Sequence, residues 1–195
     1  MRQFPALLLL LSPALLMADE TPPEPAWVGQ SRQLANQLGG QLKAELTQAI
    51  ADGGAVAAIS VCRKRAPEIA AQLSAESGAR VGRTALRLRS PANAPDEQQH
   101  AVLEQFSTEL ASGKAAGPLE AVLEIRRGAS VERLYMRAIP TDAVCLTCHG
   151  TTLAPEVAAA VARDYPADQA TGFELGQLRG AFTVTWPAVP LPAAR

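Results

Sequence analysis

Leu34, Leu38, Leu42, Leu46 and Ile50 fall at every fourth position, with polar residues between them. At 3.6 residues per turn, that spacing keeps the five side chains on one slowly drifting stripe. The chain from about Ala26 therefore reads as an amphipathic helix of about six turns whose stripe another layer must cover. Thr21-Pro22-Pro23-Glu24-Pro25 before it is an extended leader, and Asp52-Gly53-Gly54 stops it. Gly39-Gly40 inside the run costs about 1–2 kcal/mol of helix propensity, which points to another element packing closely there. An Ala-rich helical segment follows over about Ala55–Arg65. A third helix starts near Pro67, runs to about Ser77 and stops at Gly78.

After Gly78 the period changes from four to two. Arg83, Ala85, Arg87 and Arg89 alternate with Thr84, Leu86 and Leu88, so Arg80–Arg89 reads as a strand with its arginines on one face. Ser90–Pro95 is turn-rich, and Asp96 is placed to cap a helix through about Ala111. Strands are expected around Leu119–Arg126 and Val131–Ile139, joined as a hairpin at Arg127-Gly128-Ala129-Ser130. A short helix at about Pro155–Arg163, a loop at Gly172–Gly176 and a strand at Gly180–Trp186 complete the series, and the Pro-rich tail 187–195 is expected to fray. Helices first and antiparallel strands mixed with helices afterwards make an α+β fold with a long N-terminal helix.

The chain starts with Arg2 and an apolar run from Ala6 to Met17, turning polar at Asp19. The run is shorter than the roughly 20 residues of a spanning helix and reads as a signal peptide cleaved after Ala18. That implies an exported, periplasmic type of protein with one domain over 19–195 and no membrane span once cleaved. Removing Arg2 leaves 17 basic against 19 acidic side chains. With 4% aromatic residues as well, the chain lacks both the basic surface and the stacking platforms of a nucleic-acid binder.

Three cysteines are an odd number for an oxidising compartment. Two of them stand with a histidine in Cys145-Leu146-Thr147-Cys148-His149. Cys-x-x-Cys-His is the attachment pattern of c-type haem. Two thiols three positions apart add to the two vinyl groups, and the adjacent imidazole reaches the iron. The same residues with Cys62 also make a chemically acceptable Cys₃His zinc set, and Cys145 with Cys148 alone would make a thiol-redox pair or a disulfide. Haem c accounts for all three groups of the motif and for the signal peptide, so we take it as the cofactor, one per chain.

Three side chains are candidates for the second axial position: His100, Met136 and Cys62. His100 falls on the polar side of its helix and Met136 within a strand, where core packing is the ordinary role. Cys62 has no disulfide partner once the haem thioethers form, and Arg63, Lys64 and Arg65 follow it with charges that favour a thiolate. Arg83, Arg87 and Arg89, read as one strand face, suit the haem propionates.

Several blocks then resemble one family: Val61-Cys62 with Ala66-Pro67, Arg83–Arg87, Asn93–Asp96, Cys145–Gly150, Tyr165–Phe173 and Leu178–Phe182. They are similar to the haem c-binding family long labelled as of unknown function, known from a cyanobacterial cytochrome, and the likeness covers about residues 55–187. The resemblance implies a PAS-like antiparallel sheet flanked by helices and a haem held by His149 as proximal and Cys62 as distal ligand. The function expected is redox sensing, gas sensing or low-potential electron transfer; a non-enzymatic protein is expected because nothing but His100 is left to supply an acid–base pair, and a sensor would report to a separate redox or signalling protein.

Overall fold

The computed structural model describes residues 23–113 and 117–191, so the expected signal peptide lies outside the described residues. The leucine stripe forms a helix, α1, from Ala26 to Ser60. Its expected stop is a break rather than an end: Gly54 has φ 73° and ψ −176°, open to a residue without Cβ, and the chain resumes its helix beyond. Leu34 and Leu38 pack on the sheet with Trp27, Val28 and Ala35. Leu42, Leu46 and Ile50 instead line a cleft. One stripe thus serves first as core and then as the wall of a cavity. Of the glycine pair, Gly39 makes the expected close approach, since a Cβ there would lie 2.8 Å from Cζ of Phe182, while Gly40 meets nothing within 4 Å.

The helix then widens at Val61–Arg65 into a π-turn, in which the Ala66 N–H reaches back to the Val61 carbonyl. Such turns hold one extra residue and recur at functional sites. Helix α2, Ala66–Ser77, ends at left-handed Gly78, whose N–H donates to the Ser74 carbonyl at 3.0 Å. Four strands follow: β1 (Arg80–Thr84), β2 (Glu120–Arg127), β3 (Ser130–Pro140) and β4 (Leu178–Pro190). They form one antiparallel sheet in the order β1-β4-β3-β2. Alternation along β3 and β4 sends Tyr135 and Val184 toward α1 and α2. Leu134, Met136 and Ala181 face the other way, onto Val102, Leu103 and Phe106 of helix α3, Glu97–Ala111. Asp96 caps α3 as expected, in a reciprocal box with Gln99. The α+β fold and the long N-terminal helix are as read from the sequence.

Two expectations need correction. The strand at 80–89 ends at Thr84, because from Ala85 the chain bonds a loop instead of a neighbouring strand: Gln169 N–H donates to the Leu88 carbonyl at 2.7 Å. The tail does not fray from 187, since β4 continues paired to β3 as far as Pro190. Pro187 and Pro190 are tolerated there because β1 pairs with β4 only as far as Thr185, so beyond it β4 is an edge strand.

A charged clamp ties α1 to the sheet. Arg32 donates to both oxygens of Glu120 at 2.8–3.1 Å, and the Tyr135 hydroxyl donates to the same carboxylate at 2.6 Å. The Arg32 guanidinium, and after it the Tyr135 hydroxyl, hold the Glu120 carboxyl below its usual pKa against the opposing effect of burial. The folded chain therefore binds fewer protons than the unfolded one between those two values. The clamp's contribution, about 1–2 kcal/mol, is fully present above the unfolded carboxylate value of about 4.3 and is lost as pH falls through the depressed one. Glu120→Gln should flatten this part of the acid dependence in urea melts; an unchanged slope between about pH 6 and pH 3 would refute the clamp.

Candidate functional site

After β3 the chain turns into a short helix, α4, Ala143–His149, capped by Asp142, whose Oδ1 accepts from the Ala143 N–H at 2.7 Å. Cys145, Cys148 and His149 stand at i, i+3 and i+4 of this helix, so one face presents all three. Gly150 closes it with an N–H bond to the Leu146 carbonyl at 2.9 Å. A Cβ at that position would lie 2.6 Å from the same oxygen, which leaves only glycine able to make the turn. Helix α5, Pro155–Asp164, then packs Val157, Ala160 and Val161 on Ile59 of α1, with Cys148 against the cluster.

His149 is oriented from behind. Its Nδ1 donates to the Ala170 carbonyl at 2.6 Å, which leaves Nε2 as the acceptor nitrogen. Burial, with Arg179 and Arg89 adding to it, pushes the imidazole pKa down to about 2, so the ring is neutral. The Arg179 Nε–H donates weakly to Nε2 at 3.4 Å. Phe173 stands edge-on to the ring, 6.2 Å between centroids. Its N–H donates to the His149 carbonyl, and that of Gly172 to the Gly150 carbonyl. The block Tyr165–Phe173 is thus the clasp that aims the histidine.

Cys62 lies in the π-turn, about 80 residues from the motif in sequence, and lines the same cleft as Cys145, Cys148 and His149. The cleft holds about 350 Å³, with Leu42, Leu46, Ile50, Ile139 and Phe182 supplying apolar wall. All three cysteines are free thiols. Among the described residues, no three His, Cys, Asp or Glu side chains converge tightly enough to hold a metal ion. The four groups surround a space instead of meeting at a point, which suits a large flat cofactor better than a closed zinc tetrahedron. His100 is remote from this cleft, 3.8 Å from Glu104 on the surface of α3, and Met136 is fully buried between α3 and the sheet.

The basic residues are arranged differently from the sequence reading. Arg63 pairs with Asp164, and Arg65 with Glu45 and Glu68, so two charges of the triplet after Cys62 are directed to carboxylates. Cys62 acts instead on Arg83 of β1 and Arg179 of β4: burial lowers the pKa of each, and the nearby Cys62 is among the groups that oppose the shift. Arg83, Arg87 and Arg89 do not share a strand face, since β1 ends before the last two. Arg87 lies over the Phe173 ring at 4.2 Å and donates to the Gln169 carbonyl. Arg89 is 8% exposed and directs its guanidinium to protein acceptors: both Asp168 oxygens, the Cys148 carbonyl at 2.6 Å and the Ala170 carbonyl. A cleft arginine that sequence reasoning missed is Arg179, which lines the cleft and is pushed down to about 10 by burial and by Arg89 and Arg83. Its only signal was membership of the block Leu178–Phe182.

A model of the Tll0287-like family matches residues 18–187. The chain belongs to the Tll0287-like family. The match begins well before residue 55, so α1 is part of the Tll0287-like unit and not an appendage to it. Among solved structures, the crystal structure of the cyanobacterial heme-protein Tll0287 is similar, with 27% identity and a TM-score of 0.64 over 87% of this chain and 100% of that one. No curated protein matches the chain.

Proposed function

We propose that this chain is an exported protein carrying one covalently attached c-type haem between His149 and Cys62, working in redox sensing or low-potential electron transfer. The observation that carries the reading is the shared cleft: α4 presents two thiols and an imidazole to it, and the π-turn brings Cys62 to it from far upstream. The likeness to a heme-protein supports the same cofactor. The signal-like run Ala6–Met17 supports export, where c-type attachment takes place.

When bound, the haem supplies a one-electron iron couple whose potential depends on its axial ligands. Cys145 and Cys148 are the residues that would hold it through thioethers. His149 offers Nε2, its tautomer set by the Ala170 carbonyl. Cys62 offers a thiolate, which favours the oxidised iron more than a methionine would. Leu42, Leu46 and Ile50 exclude water from that side. Arg83 and Arg179 bring positive charge to the cleft for the propionates, whereas Arg89 is already committed to Asp168 and to the motif's own backbone. Nothing in this set supplies an acid–base pair for turnover.

The test is retention of haem through denaturation. The wild type should keep its pyridine haemochrome spectrum after acid–organic extraction, and Cys145→Ala/Cys148→Ala should lose it wholly to the organic phase. Zinc without a Soret band in the purified protein would overturn the reading. Carbon monoxide binding to the reduced form separates the roles: a rapid complex favours a sensor, and an iron that stays closed favours a carrier.

A further inference from the structure

Glu45 and Arg65 are 20 positions apart on a stretch that is helical throughout except at Gly54. In a straight helix they would stand about 30 Å apart. Instead, Nε and Nη2 of Arg65 donate to the two oxygens of Glu45 at 2.8 and 2.9 Å. The chain therefore doubles back at Gly54, in a backbone conformation that is essentially glycine's alone, and Ala55–Arg65 returns along the first leg of α1. Leu42 of the outgoing leg, with Leu46 and Ala49 beside it, packs on Val61 and Ala66 of the return. Cys62 follows Val61 directly, so the closure of this seam sets where the sulfur points.

The seam is thin. Its apolar part holds nothing larger than leucine, and a Cβ at Gly54 would meet nothing within 4 Å, so the hinge itself is not packed shut. Glu45 stands one turn from Leu42 and from Ala49, and Arg65 one turn from Val61, which puts the ion pair along the edge of the seam. The third guanidinium nitrogen, Nη1, donates to Glu68 in the first turn of α2. All three nitrogens of Arg65 are thus in use, in a fork that a lysine could not reproduce. Glu68 is only three residues away and joins nothing across the seam, whereas Glu45 does. On the other side of the π-turn, Arg63 reaches Asp164 through one nitrogen at 3.2 Å, and that carboxylate is shared with Arg163.

We infer that Arg65 and Glu45 are positioning residues: their two-pronged pair closes the helical hairpin hinged at Gly54 and so keeps Cys62 aimed into the cleft that His149 lines. This role rests on the proposed function of Cys62 as an iron ligand, whereas the placement of the thiol is a property of the chain itself. An exposed pair adds little to global stability. Its effect is local, on the opening of the turn that carries the sulfur.

Iodoacetamide labelling of the oxidised haem-bearing protein, read at Cys62 by peptide mapping, tests this directly. Glu45→Gln should label several-fold faster than wild type and pass part of its low-spin electron paramagnetic resonance signal to high spin, with the melting temperature nearly unchanged. Arg65→Lys, which keeps the charge and loses the fork, should do the same, and Glu68→Gln should match wild type. Salt at about 1 M, where the screening length is about 3 Å, should speed wild-type labelling and leave Glu45→Gln unaffected. Wild-type labelling in Glu45→Gln, an equal rise in Glu68→Gln, or a rise only in step with a fall in melting temperature would overturn the proposal. A normal thiolate signature with equal labelling in wild type and Glu45→Gln would remove the latch and leave the ligand standing. A wild type without that signature, whose labelling still rises in Glu45→Gln, would sink Cys62 as ligand and leave the latch standing.

Discussion

Oxidised Cys62→Ala protein is expected to lose the low-spin thiolate signature in electron paramagnetic resonance while keeping its haem attached. In the proposed function, attachment would rest on Cys145 and Cys148 and proximal ligation on His149, all on α4, and none of these depends on the π-turn. Removing the sulfur would leave no replacement ligand among the candidates, because neither Met136 nor His100 lines the cleft. Loss of an anionic donor should raise the reduction potential by on the order of 0.1 V, a fraction of the roughly 0.8 V over which axial ligands act. Folding should change little: Cys62 is only half-buried, and the substitution removes one atom from the edge of a cavity. An unchanged low-spin spectrum in the variant would eliminate Cys62 as a ligand, whatever its position.

Arg89→Ala should be the most damaging single change away from the cofactor. The side chain is 8% exposed and joins two segments distant from it in sequence: the end of α4 through the Cys148 carbonyl, and the 168–172 loop through the Ala170 carbonyl and a two-pronged ion pair with Asp168. Its loss strands the Asp168 carboxylate in the interior with the Ala170 N–H as its one remaining hydrogen-bond partner among the described residues. Breaking a buried pair in this way costs about 3–5 kcal/mol, or about 6–20 °C of melting temperature for a domain of this size. The loop that Arg89 holds also supplies the Ala170 carbonyl to His149, so the imidazole should lose its fixed tautomer and haem incorporation should fall with stability. Arg89→Ala/Asp168→Ala should cost less than the two single changes added together, because the second removes the charge that the first strands. Additive losses in thermal melts would show that the pair acts through packing alone.

Much of this architecture was legible because its causes are local. The period-four leucines specify α1, the Asp96–Gln99 box specifies where α3 begins, and Gly128 between two alternating runs specifies the β2–β3 hairpin. The Cys-x-x-Cys-His spacing also works within one turn of helix, so the motif's chemistry could be stated before any fold was known. The reading failed where a local pattern met a tertiary competitor. Alternation continues through Arg89, but the strand stops at Thr84 because the next residues bond the 168–172 loop, and three arginines expected on one face have three different tasks.

What the sequence determined by itself was the set of parts: a long amphipathic helix, an α+β order of elements, and two thiols with an imidazole on one short span. The tertiary structure decided which distant groups these parts meet. Nothing within a few residues of Cys62 directs it to the cleft that His149 lines; the break at Gly54, the π-turn and the packing of α5 on Ile59 do. Nor does sequence distinguish Arg83, which has no ion pair or hydrogen bond among the described residues, from Arg89, committed to Asp168. Helical and strand periods are set by interactions over four residues or fewer, whereas the pairing of charges and ligands depends on closing loops of tens of residues. Only the packed molecule makes that choice.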